Sequence, residues 1–426
     1  MRKLNKGIFV IMVEVIALVI LVGILLIDTK EGDDQAIQVA VTESGEKKYI
    51  KWVEFNVTYA ALDKAYKYDV QTHGKEVELH WIELLAYLGA KYGGDFSKYK
   101  EKDMVKLADS LTTGKETISS LTEKMKYYSY YYEAYEAVLG GMVGEFEIQV
   151  YAPTPTPAPT PTPTPTPALS PTSVPTPNQH EKENQTQIEH FTEGEDENEK
   201  LEEKKDEGPN LTWEKRYGLK AFSPIARDYY YNDFDDFGVS RSYGYKRRHL
   251  GHDMMGSVGT PIIAVESGYV EALGWNQYGG WRIGIRSFDN KRYYYYAHLR
   301  KNFPYNKSLE VGSIVTAGQV IGYLGHTGYS AKENVNNIKT PHLHFGLQLI
   351  FDESQKEGYN EIWVDCYALT KFLYRNRSKT VKNLETKEYS RIFDMKDPAV
   401  TNYIESKQKN ELRDEESLDG TIIEYE

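Results

Sequence analysis

Apolar positions along this chain change their period from one stretch to the next. From Ile8 to Ile27, "IFVIMVEVIALVILVGILLI", they run almost unbroken for 20 residues, with Glu14 the only charge. As a helix that run crosses a ~30 Å hydrocarbon layer. Between about Lys47 and Val150 the spacing is helical, as in "TYAALDKAYKYDV" and "LHWIELLAYLGAKY", and predicts a compact, mostly α region. From about Leu211 to Asn376 the runs shorten and glycine punctuates them: "GTPIIAVESGYVEALGW", "GGWRIGIRSF", "KRYYYYAHL", "TPHLHFGLQLIF". That pattern predicts a small antiparallel β-sheet or sandwich. Ala152–Pro177 has no apolar period. Its alternating Pro and Thr predict a polyproline II rod of 26 residues, reaching about 80 Å at ~3.1 Å per residue. The acidic, polar stretch after it is expected to be disordered. The expected organisation is therefore 1–28 (cytoplasmic end and anchor), 47–150 (a separate, mostly α region), 151–210 (linker), 211–376 (β domain) and 377–426 (charged tail, partly helical or disordered).

Charge and cysteine use narrow the classes. A net charge of −12 argues against nucleic acid as a partner. Arg2, Lys3 and Lys6 precede the apolar run, which lacks an A-x-A-like cleavage site. Together these predict an uncleaved single-pass anchor with everything after Asp28 outside the cell. Cys366 is the only cysteine, so no disulfide forms within the chain and no metal site is cysteine-rich. It reads as a small buried apolar residue.

Histidine carries the chemistry. Six of the ten lie between His249 and His344. In "TPHLHFGLQL", His342 and His344 share one face of a strand, roughly 7 Å apart. "RRHLGHDMM" offers His249, His252 and Asp253 within five residues, and Gly251 is expected to allow a tight loop that folds two ligands inward. A catalytic zinc takes three imidazole or carboxylate ligands and keeps one open position. His249, Asp253 and one histidine of H-x-H supply that set, and His298 ends a nearby strand. His73 and His80 read as structural or surface residues, His180 and His190 as solvated, His252 as a weak ligand candidate and His326 as part of a glycine turn.

The ordered series "RHLGHD", "GTP", "YAHL", "GQVIGYLGHTGYS" and "HLHF" resembles the lysostaphin/LytM-type zinc metallopeptidases, over roughly Ser240 to Leu349. The resemblance implies a LytM-type β fold, a Zn2+ cofactor and hydrolysis of peptide bonds in bacterial peptidoglycan. It implies His249, Asp253 and His344 as metal ligands and His298 and His342 as catalytic histidines. The expected protein is an anchored, extracytoplasmic endopeptidase whose partners are peptidoglycan peptides and the membrane. Two other readings differ in class. One is a non-catalytic member of the same fold: a scaffold, an activator of other wall hydrolases, or a sporulation channel component. The other is a biotinyl- or lipoyl-type carrier, weakened because "LEVGSIVTAGQVIGYLG" has no lysine at a modification turn. "GYSAKENVNNIKTPHLHF" is a longer approach to the H-x-H strand than many relatives have, and it is expected to shape a groove. Basic residues in "FDDFGVSRSYGYKRRHLGHD" are expected to meet acidic peptide or to solvate a loop.

Overall fold

A computed structural model describes residue 53 and residues 55–153, 210–242, 246–356 and 361–419. The apolar run Ile8–Ile27, most of the Pro/Thr segment and the acidic stretch lie outside the described residues. Among the described residues no helix is long and apolar enough to cross a membrane.

The sequence from 211 onward forms the expected antiparallel sheet. In spatial order its strands are Ile314–Val315, Gly268–Asn276, Gly280–Ser287, Arg292–Ala297, His342–Leu349, His252–Gly256 and Tyr231–Asp233, with Ile362–Val364 also paired to His342–Leu349. Alternation follows the pleat. Tyr294, Tyr296, Leu343, Phe345 and Leu347 are fully buried on one face. His342, His344, Tyr293 and Tyr295 take the other, less buried face.

The mostly α region is present as predicted, in the helices Tyr59–Thr72, Trp81–Tyr92, Glu101–Thr112 and Tyr128–Leu139. Three of its tyrosines, Tyr130, Tyr131 and Tyr135, are buried, while Tyr59 and Tyr132 are exposed. The expectation that this region stands apart is corrected. The described residues up to Ile148 and from Glu214 onward form one compact unit, and one apolar core runs through helices and sheet. Phe372 stacks on Trp81 at 5.7 Å, and Arg292 Nη1 donates to the Ala137 carbonyl at 3.0 Å. A long linker limits how far two segments separate; it does not stop them from packing when both carry apolar faces. The second unit is Gln149–Trp213. In its described ends the Ala152 N–H donates to the Asn210 carbonyl at 2.9 Å.

Cys366 is fully buried, and burial pushes its thiol pKa up. The tail carries the 22-residue helix Pro398–Asp419.

Candidate active site

Strand register sets the first contact. His344 lies directly opposite Asp253 on the neighbouring strand, and His344 Nδ1 is 2.8 Å from Asp253 Oδ1. His249 arrives from the loop ahead of that strand, held by its own N–H donating to the Val239 carbonyl at 3.0 Å. Its Nε2 is 3.0 Å from Asp253 Oδ1 and 3.2 Å from His344 Nδ1. One atom from each of the three lies within 4.8 Å of the others. Zinc bonds of about 2.0–2.1 Å in a tetrahedron need ligand separations near 3.3 Å, so the set fits a small divalent ion.

Gly251 makes the convergence possible, though not by an unusual backbone angle, since it is not among the positive-φ glycines. A Cβ there would lie 2.6 Å from His344 Cε1, 2.7 Å from His344 Nε2 and 2.8 Å from the Phe345 carbonyl oxygen. The glycine gives the imidazole its space.

The remaining two histidines close the site. His298 follows the strand Arg292–Ala297 in the left-handed region, φ 62°, a cost that non-glycine residues bear mainly at functional positions. Its Nδ1–H donates to the Thr327 carbonyl at 2.9 Å, and that of His342 donates to the Thr340 carbonyl at 2.8 Å. In both, Nε2 is left as the accepting nitrogen. The two ring centres are 4.8 Å apart, and His342 Nε2 is 3.8 Å from Asp253 Oδ1.

Electrostatics hold these groups in useful states. Burial works to raise the Asp253 pKa, but hydrogen bonds from His249 and His344 overturn it and keep the group a carboxylate. Burial lowers His298 well below the usual imidazole range, and the neighbouring His342 and His344 lower it further. His344 is lowered too, by burial first, against the pull of Asp253. Both rings are thus neutral at neutral pH, as a ligand and a proton acceptor must be.

Sequence reasoning missed a supporting pair. Asp236 Oδ1 is 2.9 Å from His249 Nδ1, behind the nitrogen that faces the centre. Arg241 donates from Nη1 to Asp253 Oδ2 at 2.9 Å and from Nη2 to Asp236. Arg241 was visible only as one of several basic residues, and no spacing rule singles it out. Carboxylates behind metal-bound histidines set ring orientation and basicity. Asp236→Asn should therefore weaken metal affinity about 10- to 100-fold, read by competition with a chromophoric chelator. An unchanged affinity would remove Asp236 from the site.

His252 and His326 lie outside this cluster. His252 Nδ1 pairs with Thr370 Oγ1 at 2.7 Å and its Nε2 with Asp233 at 3.1 Å. His326 Nδ1 donates to the Ile338 carbonyl at 2.8 Å, tying down the segment after the glycine turn. That segment forms one wall of a cavity of about 1060 Å3 above the cluster, through Tyr329, Asn337 and Lys339.

An antiparallel sheet presenting two histidines and an aspartate to an open groove, with two further imidazoles beside them, defines a candidate metal-dependent hydrolase centre. Residues 247–357 match the model of peptidase family M23, and the chain carries a peptidase M23 domain. Over 131 residues it is 41% identical to the L-Ala--D-Glu endopeptidase of Bacillus subtilis (strain 168), covering 30% of this chain and 38% of that one. Over 98 residues it is 42% identical to lysostaphin of Staphylococcus simulans, covering 23% of this chain and 17% of that one. The chain thus spans well under half the length of either relative. Among solved structures, the catalytic domain of the antimicrobial peptidase lysostaphin from Staphylococcus simulans is 32% identical, over 33% of this chain and 92% of that chain, with a TM-score of 0.27.

Proposed function

We propose that this protein is an extracytoplasmic zinc metalloendopeptidase that hydrolyses peptide bonds in bacterial peptidoglycan. The observation that carries the reading is the convergence of His249, Asp253 and His344 within 4.8 Å at the base of an open groove, with two Nδ1-tethered histidines beside them. The named substrates of the relatives, an L-Ala–D-Glu bond for one, favour a wall peptide.

A zinc ion held by His249, Asp253 and His344 would supply Lewis acidity, polarising a carbonyl and acidifying a water. The protein's own part is positional. Asp253 and the neutral His344 hold the ligand set, with Asp236 and Arg241 behind them. With Nδ1 tied to a carbonyl, His298 and His342 each leave Nε2 for chemistry: one takes the proton of the attacking water and returns it to the leaving amine, and the other stands beside the developing oxyanion. The groove walls align the peptide.

The test separates binding from chemistry. His298→Ala and His342→Ala should keep full zinc yet release fragments from purified peptidoglycan about 10²-fold more slowly, or worse. Wild-type rates in either variant would strike that residue from the mechanism. Wild-type protein with full zinc and no hydrolysis would favour the scaffold reading.

We also assign Ile8–Ile27 as the membrane anchor, from its length and composition, with the Pro/Thr segment as a spacer toward the wall. The full chain should stay with membranes through an alkaline carbonate wash, and its release would refute the anchor.

A further inference from the structure

The face of the sheet that carries His344 continues beyond the metal cluster, and its chemistry changes there. Directly opposed residues of antiparallel strands share a face. Ala297 opposes His344, and Tyr295 opposes Gly346 on one side and Gly284 on the other. Tyr296 opposes Ile283, so the register carries on to set Arg282 against Ala297. His344, Ala297 and Arg282 thus form a row across three strands, about 10 Å from the first backbone to the last at ~4.8 Å per strand.

Beside that row, at the level of Gly346, the surface is aromatic. The Tyr295 ring lies 6.1 Å from His344 and 6.0 Å from Trp363. Two glycines let rings lie close to the sheet: a Cβ on Gly346 would lie 2.6 Å from the Trp363 ring, and one on Gly284 would run into the Tyr293 ring.

Arg282 is the odd charge on this face. Arg286, four residues on, pairs with Glu353 at 2.8 Å and lies 3.7 Å from Glu271. Lys356 and Arg286 already engage Glu271. Among the described residues no carboxylate lies within ion-pair distance of Arg282. Its Nη1 reaches only the Tyr293 hydroxyl, at a long 3.5 Å, and its Nε is buried without an acceptor. An ordinary surface arginine is solvated along its whole head group. This one is half-buried with part of its fork desolvated, a state that an incoming anion relieves.

We infer that Arg282, with the Tyr293 hydroxyl beside it, is a carboxylate subsite that selects acidic peptides, the Tyr295 ring flanking the chain between that carboxylate and the reacting bond. The inference rests on the peptidase reading and deepens it. At ~3.3–3.6 Å per extended residue, the recognised carboxylate lies within about three residues of the cleaved bond. Guanidinium suits the task because its planar fork matches a carboxylate with two parallel hydrogen bonds.

The test uses the full chain and two stem peptides that differ only in whether the glutamate α-carboxyl is free or amidated. Wild-type kcat/KM should favour the free acid by about 10- to 100-fold, mainly through KM. Arg282→Gln should bring the ratio close to one, and Arg282→Lys, which keeps charge without the fork, should restore part of it. A wild-type ratio near one, or an undiminished ratio in Arg282→Gln, overturns the subsite. If the wild type cleaves neither peptide nor whole peptidoglycan, the peptidase reading fails separately. Calorimetric binding of the two peptides then still decides the subsite, equal affinities overturning it.

Discussion

Gly251→Ala should strip the centre of its metal almost as completely as His344→Ala, although alanine ligates nothing and removes no ligand. The added methyl would stand 2.6 and 2.7 Å from two atoms of the His344 ring and 2.8 Å from the Phe345 carbonyl oxygen. Carbon atoms do not rest that close, so something moves. The carbonyl belongs to a strand fixed by pairing of Phe345 with His252 and His344 with Asp253, whereas the imidazole turns about two bonds. The ring therefore gives way and carries Nδ1 off its positions 2.8 Å from Asp253 and 3.2 Å from His249. A displacement near 1 Å costs on the order of 10²-fold in a preorganised site. Zinc affinity and peptidoglycan hydrolysis should both fall by at least about that factor. His344→Ala, which deletes a ligand outright, should retain little or no zinc. Elemental analysis and chelator competition measure both variants, with thermal unfolding of the metal-free forms as the control for a lost fold. Wild-type zinc affinity in Gly251→Ala would show that the strand, not the ring, had yielded, and the packing argument would fail.

That glycine also shows what the sequence made legible. H-x-H on an alternating strand marked His342 and His344 as neighbours on one face, because side-chain period in a strand is fixed at two. H-x-x-x-D marked His249 and Asp253 by the ordinary chemistry of zinc ligands. Gly251 was noticed for the wrong property, conformational freedom in place of absent volume. Volume is a matter of what comes near from 93 residues further along the chain, and local pattern does not carry it. Asp236 and Arg241 were illegible for the same reason. Their roles depend on a loop folding back onto His249, and carboxylates and arginines in loops are common. The helical region was legible as helices, from its apolar spacing, but not as part of the β domain's core. Its apolar faces showed that something had to cover them. Composition does not say what, and the Pro/Thr segment suggested distance where the fold has contact.

That shared core leads to the second large effect, a loss of stability of about 3–5 kcal/mol on Arg292→Met. Arg292 is 2% exposed and Glu266 8%. The pair is bidentate, Nε donating to Oε2 at 2.8 Å and Nη2 to Oε1 at 3.0 Å, and the Tyr294 hydroxyl donates to Glu266 at 2.6 Å. Burial alone would lower the Arg292 pKa, but the Glu266 charge overrides it and holds the guanidinium charged. Nη2 also reaches Asp289 at 3.0 Å, and a further contact crosses to the α region, where Nη1 satisfies the Ala137 carbonyl at 3.0 Å. That carbonyl lies in the last turn of the helix Tyr128–Leu139, where no N–H of the same helix is left to donate and positive charge is favoured. Methionine fills much of the volume but leaves the buried Glu266 carboxylate with the Tyr294 hydroxyl and no cation, and the helix end unsatisfied. Removing one member of a buried pair costs far more than replacing both. Arg292→Met/Glu266→Leu should therefore recover a large part of what Arg292→Met loses. Urea unfolding of the full chain gives the values, and a double-mutant cycle isolates the coupling. Hydrogen exchange should show lost protection in Tyr128–Leu139 when Arg292 alone is changed, because the tie between helix and sheet is cut there. If Arg292→Met stayed within about 1 kcal/mol of wild type, or if the double variant were no better than the single, the guanidinium would not be what fastens the helical region to the catalytic sheet.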